Sequence, residues 1–450
     1  MTALAVGLLG CTSGGPDSSA GDTGACASGT TACDDSGDDT GPAPEPFEAC
    51  ANGVDDDGDG AMDEPGCAIA WRIGDESLSG LGKRIEVAHG EPAVWAFDAT
   101  RVSDGKETIA GAYREGDSHR LDSLWTVPDD LRYDGLAILG TAEGALVGSG
   151  VGGRESGFSV ALLDVPRVGD PTPETRRLAT LAIPSLVKSL DLVDGGADSR
   201  LLVGTGYDGV FLLDHVDFAL TSLEASADAV ITTDEIGTGL GSAVLFLPDP
   251  SGDGISDMVI GWPGWDPGYF MSGVYFFDGL FRGVATPDDA DAGVEEADDV
   301  GFGESLDPVG DLDGDGVEDL AVRDGNAATH VWFGPFLEWT TTDDVPNVTV
   351  RGLAAGLAPD GDEFPDLAIV HNLDNEVGVF RGPISRGAID WELADHTFEP
   401  DGIEVDGYML AFADIDADGS SELVVGEQGY PRGATDDFLG AIVAYGLLGP

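Results

Sequence analysis

Short apolar runs punctuate this chain at a nearly constant interval, and each follows an acidic stretch. Four of them are Met258-Val259-Ile260-Gly261, Leu320-Ala321-Val322, Leu367-Ala368-Ile369-Val370 and Leu423-Val424-Val425-Gly426. Runs of this length, rich in β-branched residues and bounded by Gly and Asp, predict buried strands rather than helices. Behind each comes a turn and a second β-rich segment: Gly273–Phe277, His330–Phe333, Glu376–Phe380 and Ala441–Tyr445. Counting back with the same ruler, Leu201–Gly204 and Ala145–Gly148 read as equivalent strands whose loops have lost their acids, and Thr108–Gly111 as an earlier one. The last copy shows three strands, and Ala68–Ile73 is expected to supply its outer strand by pairing with Ala441–Tyr445, which would hide an exposed edge.

The acidic stretches have a spacing of their own. Asp311, Asp313 and Asp315 alternate, Gly316 follows, and Asp319 closes the set as the next strand begins. Alternate residues of a tight loop can point carboxylates inward, and a glycine after the third lets the chain turn sharply. With the carbonyl of Val317 as a further ligand, this is an oxygen-only set suited to a hard divalent cation, Ca²⁺ above all. The pattern recurs as Asp249, Ser251, Asp253, Ile255 and Asp257, and again as Asp414, Asp416, Asp418, Ser420 and Glu422. A weaker copy has Asp360, Asp362, Phe364 and Asp366, with Ala358 where the first carboxylate belongs. One such stretch is ordinarily a solvated loop, but four in phase, each leading into an apolar strand, point to metal binding.

The loop, the strand after it and the Phe302-Gly303 pair upstream resemble FG-GAP repeats, the blades of the β-propeller in integrin α subunits and many bacterial surface proteins. The resemblance runs from about residue 70 to 450 and is specific from about residue 230 onward. It implies an all-β propeller of about seven four-stranded blades with calcium in some inter-strand loops. Loops opening near 192, 249, 311, 358 and 414 agree with it, since steps of about 50 to 60 residues are those of propeller blades.

Composition narrows the function. Glycine numbers 68 in 450 residues, which favours strands and turns over helical bundles. Against 85 acids there are 20 Lys and Arg together, of which three are lysine (Lys83, Lys106, Lys188), for a formal net charge of −65. A nucleic-acid partner is excluded, because nothing here could neutralise phosphates. Most of these acids are expected to form a solvated surface, since a handful of calcium ions offsets only about two charges each.

The first residues divide into three expected segments ahead of a propeller over 68–450. Residues 2–9 are apolar, and Leu8-Leu9-Gly10-Cys11 resembles the lipobox of bacterial lipoproteins, which would make Cys11 the lipidated residue ending a signal over 1–11. Residues 12–47 are rich in Gly, Ser, Asp and Pro and read as a disordered tether. Residues 48–67 hold Asp55, Asp57, Asp59, Ala61 and Asp63 in the same one-three-five-seven-nine register, a small calcium module between Cys50 and Cys67. This module is similar to the aspartate-rich motifs likened to the MopE repeat, but Gly58 stands where a cysteine is usual, and oxygen-only ligands favour calcium over copper. With Cys11 lipidated, the simplest disulfide pairing of the remainder is Cys26 with Cys33 and Cys50 with Cys67, which suits an oxidising compartment.

Signs of an enzyme are weak. Gly148-Ser-Gly150-Val-Gly-Gly153 and Gly204-Thr-Gly206-Tyr-Asp-Gly209 match a nucleotide fingerprint, yet no helical pattern follows either. The six histidines are scattered, without metalloprotease or nucleophile-elbow motifs. Trp262, Trp265, Tyr269 and Phe270 cluster in one long loop, the best candidate for a ligand patch. The expectation is a non-enzymatic, calcium-stabilised binding or adhesion protein, monomeric, extracytoplasmic and held to the outer membrane or cell surface only by its lipid. Its ligand would be a protein or carbohydrate at the cell surface. The alternative is an extracytoplasmic hydrolase or lyase acting on polysaccharide in the propeller channel.

Overall fold

The computed structural model describes strands from Ile69 to Tyr445 and, between residues 185 and 384, most of the segments joining them. The first 68 residues and the loops at 194–198, 249–253, 265–271, 358–363 and 414–421 are among those outside the described residues. The signal, tether, cysteine pairs and calcium module expected at the N-terminus therefore lie outside them too.

The fold is all-β. Helix among the described residues is confined to one turn at Leu223–Ser226, capped by the Ser222 hydroxyl, and a 3-10 turn at Pro287–Asp289. The described strands form seven sheets that follow one another along the chain. The third runs Ser189–Val193, Arg200–Gly204, Val210–Leu213, Ala229–Ile231, and the fourth Ala243–Leu247, Asp257–Trp262, Ser272–Phe277, Ala292–Glu296. The fifth runs Ser305–Gly310, Asp319–Arg323, Ala328–Trp332, Val348–Arg351, and the sixth Ala354–Leu357, Asp366–His371, Glu376–Phe380, His396–Phe398. All of these neighbours are antiparallel.

The seventh sheet carries Leu410–Ala413, Glu422–Glu427 and Ala441–Tyr445, and its fourth strand is Ile69–Ile73 from the other end of the chain. Ile73 lies opposite Ile442 and Ile69 opposite Tyr445, with a bulge between Ile69 and Trp71. The expected pairing of the chain's two ends is thus present.

Every apolar run that follows an acidic stretch is the second strand of its sheet. These strands are buried on both faces: Met258, Val259 and Ile260 are all fully inaccessible, as are Leu367, Ala368 and Ile369. A strand covered on both sides needs apolar residues at consecutive positions, so the runs read as continuous rather than alternating. Burial on the other side comes from the neighbouring sheet. One core cluster joins the second and third sheets, and others join third to fourth, fourth to fifth and fifth to sixth. The core is therefore a series of sheet-to-sheet seams.

Two further devices bind neighbours. Gly283–Ala285, from the fourth sheet's outer connection, pairs in parallel with Ala229–Ile231 of the third. Trp339–Thr341, from the fifth, pairs in parallel with Ala292–Glu296 of the fourth. Close backbone approach does the rest: Gly303, at φ +88, brings its carbonyl against Gly261 of the preceding sheet, where a Cβ could not fit. Gly241 and Gly204 repeat that contact between the third and fourth sheets.

The phasing of the first sheet differs from the sequence expectation. Thr108–Gly111 belongs to Lys106–Glu115, flanked by Val94–Arg101 and Ser118–Thr126, whereas Ile85–Ala88 pairs with the other edge of Val94–Arg101. Ile85–Ala88 also lies against Arg132–Thr141 of the second sheet and Leu410–Ala413 of the seventh. It therefore occupies the first-strand position, Val94–Arg101 the second and Thr108–Gly111 the third. The run Ile109-Ala110-Gly111 imitates a second strand in composition, and only its pairing reveals the offset.

Candidate metal centre

The loop between the first and second strands of the fifth sheet gathers Asp311, Asp313 and Asp315, one oxygen from each lying within 4.8 Å of the others. Among the described residues this is the one cluster of three such groups. The loop holds itself in shape through its own carboxylates. Asp311 accepts from the Asp315 N–H at 2.9 Å and the Gly316 N–H at 2.7 Å, and Asp315 accepts from the Val317 N–H at 2.9 Å. Gly316, at φ +90 with open space around it, makes the sharp turn expected of the sixth position, and Gly254 does the same at φ +88 in the fourth sheet.

The chemistry of the donors fits calcium. Three carboxylates offer between three and six oxygens, no nitrogen or sulfur, and remaining places would fall to backbone carbonyls and water. Without a cation, three anions this close repel one another.

Asp319 stands apart from this cluster. It is fully buried, and its two oxygens accept the N–H groups of Leu312 and Gly334, each at 2.8 Å. Burial pushes its carboxyl up to about 7, opposed by those two bonds, and the charges of Asp313 and Asp315 add to the rise. Burial also raises the neighbouring Glu318. The same bond recurs in neighbouring sheets: Asp257 accepts from Gly279 at 2.7 Å and Asp366 from Gly382 at 2.9 Å. Each glycine lies just past the third strand, under the seventh residue of the acidic loop. A Cβ on Gly334 would meet Val317 Cγ1 at 2.6 Å, and one on Gly382 would meet Phe364 Cβ at 2.7 Å. Ile255 covers Gly279 in the same way, at 2.9 Å from its Cγ2. The side chains of Val317, Ile255 and Phe364 thus close the loop against the sheet, and the ninth-position acids latch it. Glu422, in the equivalent place of the seventh sheet, is buried at 6 % exposure.

Asp249, Ser251, Asp253, Asp360, Asp362, Asp414, Asp416, Asp418 and Ser420 lie outside the described residues, as do Trp265, Tyr269 and Phe270 of the aromatic loop. Trp262 is described, and it is buried at 7 %, its ring 5.9 Å from that of Tyr275. It packs in the seam between the third and fourth sheets. An exposed aromatic nearby is Trp339, 44 % accessible and 5.8 Å from Tyr275.

A second set of structural acids had gone unrecognised. Asp228, Asp291 and Asp395 each precede a fourth strand and accept the N–H of the residue just after the third strand: Asp214, Asp278 and Arg381, at 2.8–3.0 Å. An Ala-Asp pair is the sequence signal the three share: Ala227-Asp228, Ala290-Asp291 and Ala394-Asp395. Two buried or half-buried acids also sit on first strands in a repeated Ser-Leu-Asp triplet. Asp191 accepts from Phe246 of the next sheet at 2.7 Å, and Ser189 from Val244 at 3.1 Å. Asp307 accepts from Ser305 at 3.2 Å. Burial pushes both carboxyls up to about 6.

Comparison with known proteins gives the fold and nothing narrower. No protein-family model matches the chain, and no curated protein does either. Among solved structures, a chain of the mitotic checkpoint complex aligns with a TM-score of 0.51 at 11 % identity, over 86 % of this chain and 92 % of that one. A chain from the structure of BBS1N in complex with ARL6DN, soaked with lead, aligns with a TM-score of 0.45 at 11 % identity, over 84 % and 96 %. Together with the seven successive sheets, the first likeness defines an all-β, propeller-like fold.

Proposed function

We propose that the chain is a calcium-stabilised, FG-GAP-type propeller of seven blades that serves as a non-enzymatic binding or adhesion platform outside the cytoplasm. The observation that carries the reading is the convergence of Asp311, Asp313 and Asp315 on one loop between the first and second strands. The loops at 249–257, 358–366 and 414–422 occupy that same position in their own sheets. Seven blades are supported by the sheet-to-sheet seams and by the contact of Leu410–Ala413 with Ile85–Ala88.

The metal's work in this reading is structural. Folding brings carboxylates together at a cost, and a cation bound only to the folded loop adds its binding free energy to stability. The N-terminal reading is carried forward with it: a lipid on Cys11, a tether and a disulfide-clipped acidic module would hold the propeller at the outer membrane or cell surface. Calorimetric titration of calcium into the purified protein tests the site. Binding that weakens on Asp313→Ala, and more than on Asp129→Ala outside any acidic loop, is expected; equal affinities would refute the assignment. Arrays of extracellular glycans and proteins, probed with calcium and with EDTA, test the platform. Retention of a ligand without turnover supports it, and depolymerisation of a polysaccharide would favour the hydrolase or lyase reading.

A further inference from the structure

Where the fourth, fifth and sixth sheets place Asp257, Asp319 and Asp366, the third sheet places Arg200. The register makes the equivalence: Leu201 faces Leu213 as Met258 faces Phe277 and Leu320 faces Trp332. Arg200 is 6 % exposed, and three of its donors are engaged. Nε donates to Asp214 at 3.2 Å, one terminal nitrogen to the Ser256 carbonyl at 2.9 Å, and the other to the Gly279 carbonyl at 2.7 Å. The guanidinium carbon lies 4.9 Å from the centre of the Phe246 ring. Asp214 is shared with Arg282 of the fourth sheet, so a single carboxylate takes cations from both sides of the seam.

The two carbonyls belong to one strategic place in the fourth sheet. Ser256 is the eighth residue of its acidic loop, and Gly279 is the glycine whose N–H Asp257 holds. Arg200 therefore grips the exit of that loop and the turn latched to it, from the neighbouring sheet. A buried guanidinium is tolerated because a carboxylate, two carbonyls and an aromatic face compensate it, in a planar fork that lysine cannot copy.

The seam between the fifth and sixth sheets is built differently. Leu312, the second residue of the three-carboxylate loop, is fully buried with Ile384 and Phe380, and its carbonyl accepts from Ile384 at 2.6 Å. That seam runs through the loop itself.

We propose that Arg200 is a resident cation that positions the fourth sheet's acidic loop and locks the third and fourth sheets together without metal, while the fifth and sixth sheets close through the three-carboxylate loop. Only the second half rests on the calcium reading. The test is hydrogen exchange of the full-length protein, read by mass spectrometry with calcium and with EDTA. In the unaltered protein, residues 319–323 and 366–371 should exchange about tenfold faster in EDTA. Arg200→Met should accelerate 257–262 about tenfold in both solutions, and Arg200→Lys should do so partially, because one ammonium cannot reach all three acceptors. If Arg200→Met fails to fold, Arg200→Lys decides alone. Unchanged exchange at 257–262 in the variants overturns the proposal. Loss of the calcium effect at 319–323 with the Arg200 effect intact would sink the calcium reading and leave Arg200 in its role.

Discussion

Gly261→Ala is the perturbation whose outcome follows most directly from the way the sheets meet. Gly261 has no positive φ, so alanine suits its backbone, and the loss of unfolded-state freedom would by itself stabilise by about 0.4–1 kcal/mol. The obstacle is space. A Cβ there would lie less than 3.0 Å from the Gly303 carbonyl oxygen and 3.1 Å from the Gly303 carbonyl carbon, both backbone atoms of the next sheet. Neither can swing aside as a side chain would, so the sheets must separate by a few tenths of an ångström along a packed seam. Overpacking of this kind costs about 1–3 kcal/mol, and the rigidity of both partners argues for the upper end. A fall in midpoint of about 2–4 °C is expected in thermal unfolding followed by circular dichroism. Gly283→Ala is the control: its φ is +101, but nothing lies within 4 Å of the added methyl. It should show only the left-handed penalty, about 1 kcal/mol. If Gly261→Ala is as mild as the control, the backbones of the two sheets do not meet as closely as Gly261 and Gly303 require.

Other outcomes follow from single contacts. Asp315→Ala should lower the unfolding midpoint in calcium and leave it nearly unchanged in EDTA, whereas Asp130→Ala should leave it unchanged in both. Asp257→Ala leaves the Gly279 N–H without its acceptor, and denaturant unfolding should register a loss of about 1–3 kcal/mol. Asp307 has a folded pKa raised to about 6, so its ionisation disfavours folding, and the protein loses stability as pH rises through 6. Asp307→Asn should therefore stabilise by about 2–3 kcal/mol at pH 8 and by little at pH 4, in unfolding curves taken at both. A gain of the same size at both pH values would contradict that sign.

The strands that follow the acidic loops were legible because burial on both faces forces an unbroken apolar run such as Met258-Val259-Ile260. Pairing of Ile69–Ile73 with Ala441–Tyr445 was legible as well, since the last copy shows one strand fewer than the rest. Composition failed at Ile109-Ala110-Gly111, which has a second strand's residues in a third strand's place. The latch glycines were hidden for another reason: Gly279, Gly334 and Gly382 stand 15 to 22 residues from the acids that hold them, and only strand register brings them together. Arg200 escaped notice because it occupies an acid's position with the opposite charge. Trp262 looked like surface within its aromatic loop, yet it ends a second strand and so turns into a seam.

Cation binding by the acidic loops should stabilise the propeller-like fold. Thermal unfolding of the purified protein in calcium, in magnesium and in EDTA, with a metal count on the same sample, tests it most directly. Several bound calcium ions are expected, with a calcium-specific rise in midpoint that Asp313→Ala diminishes. Identical midpoints in all three solutions, with no calcium retained, would contradict it.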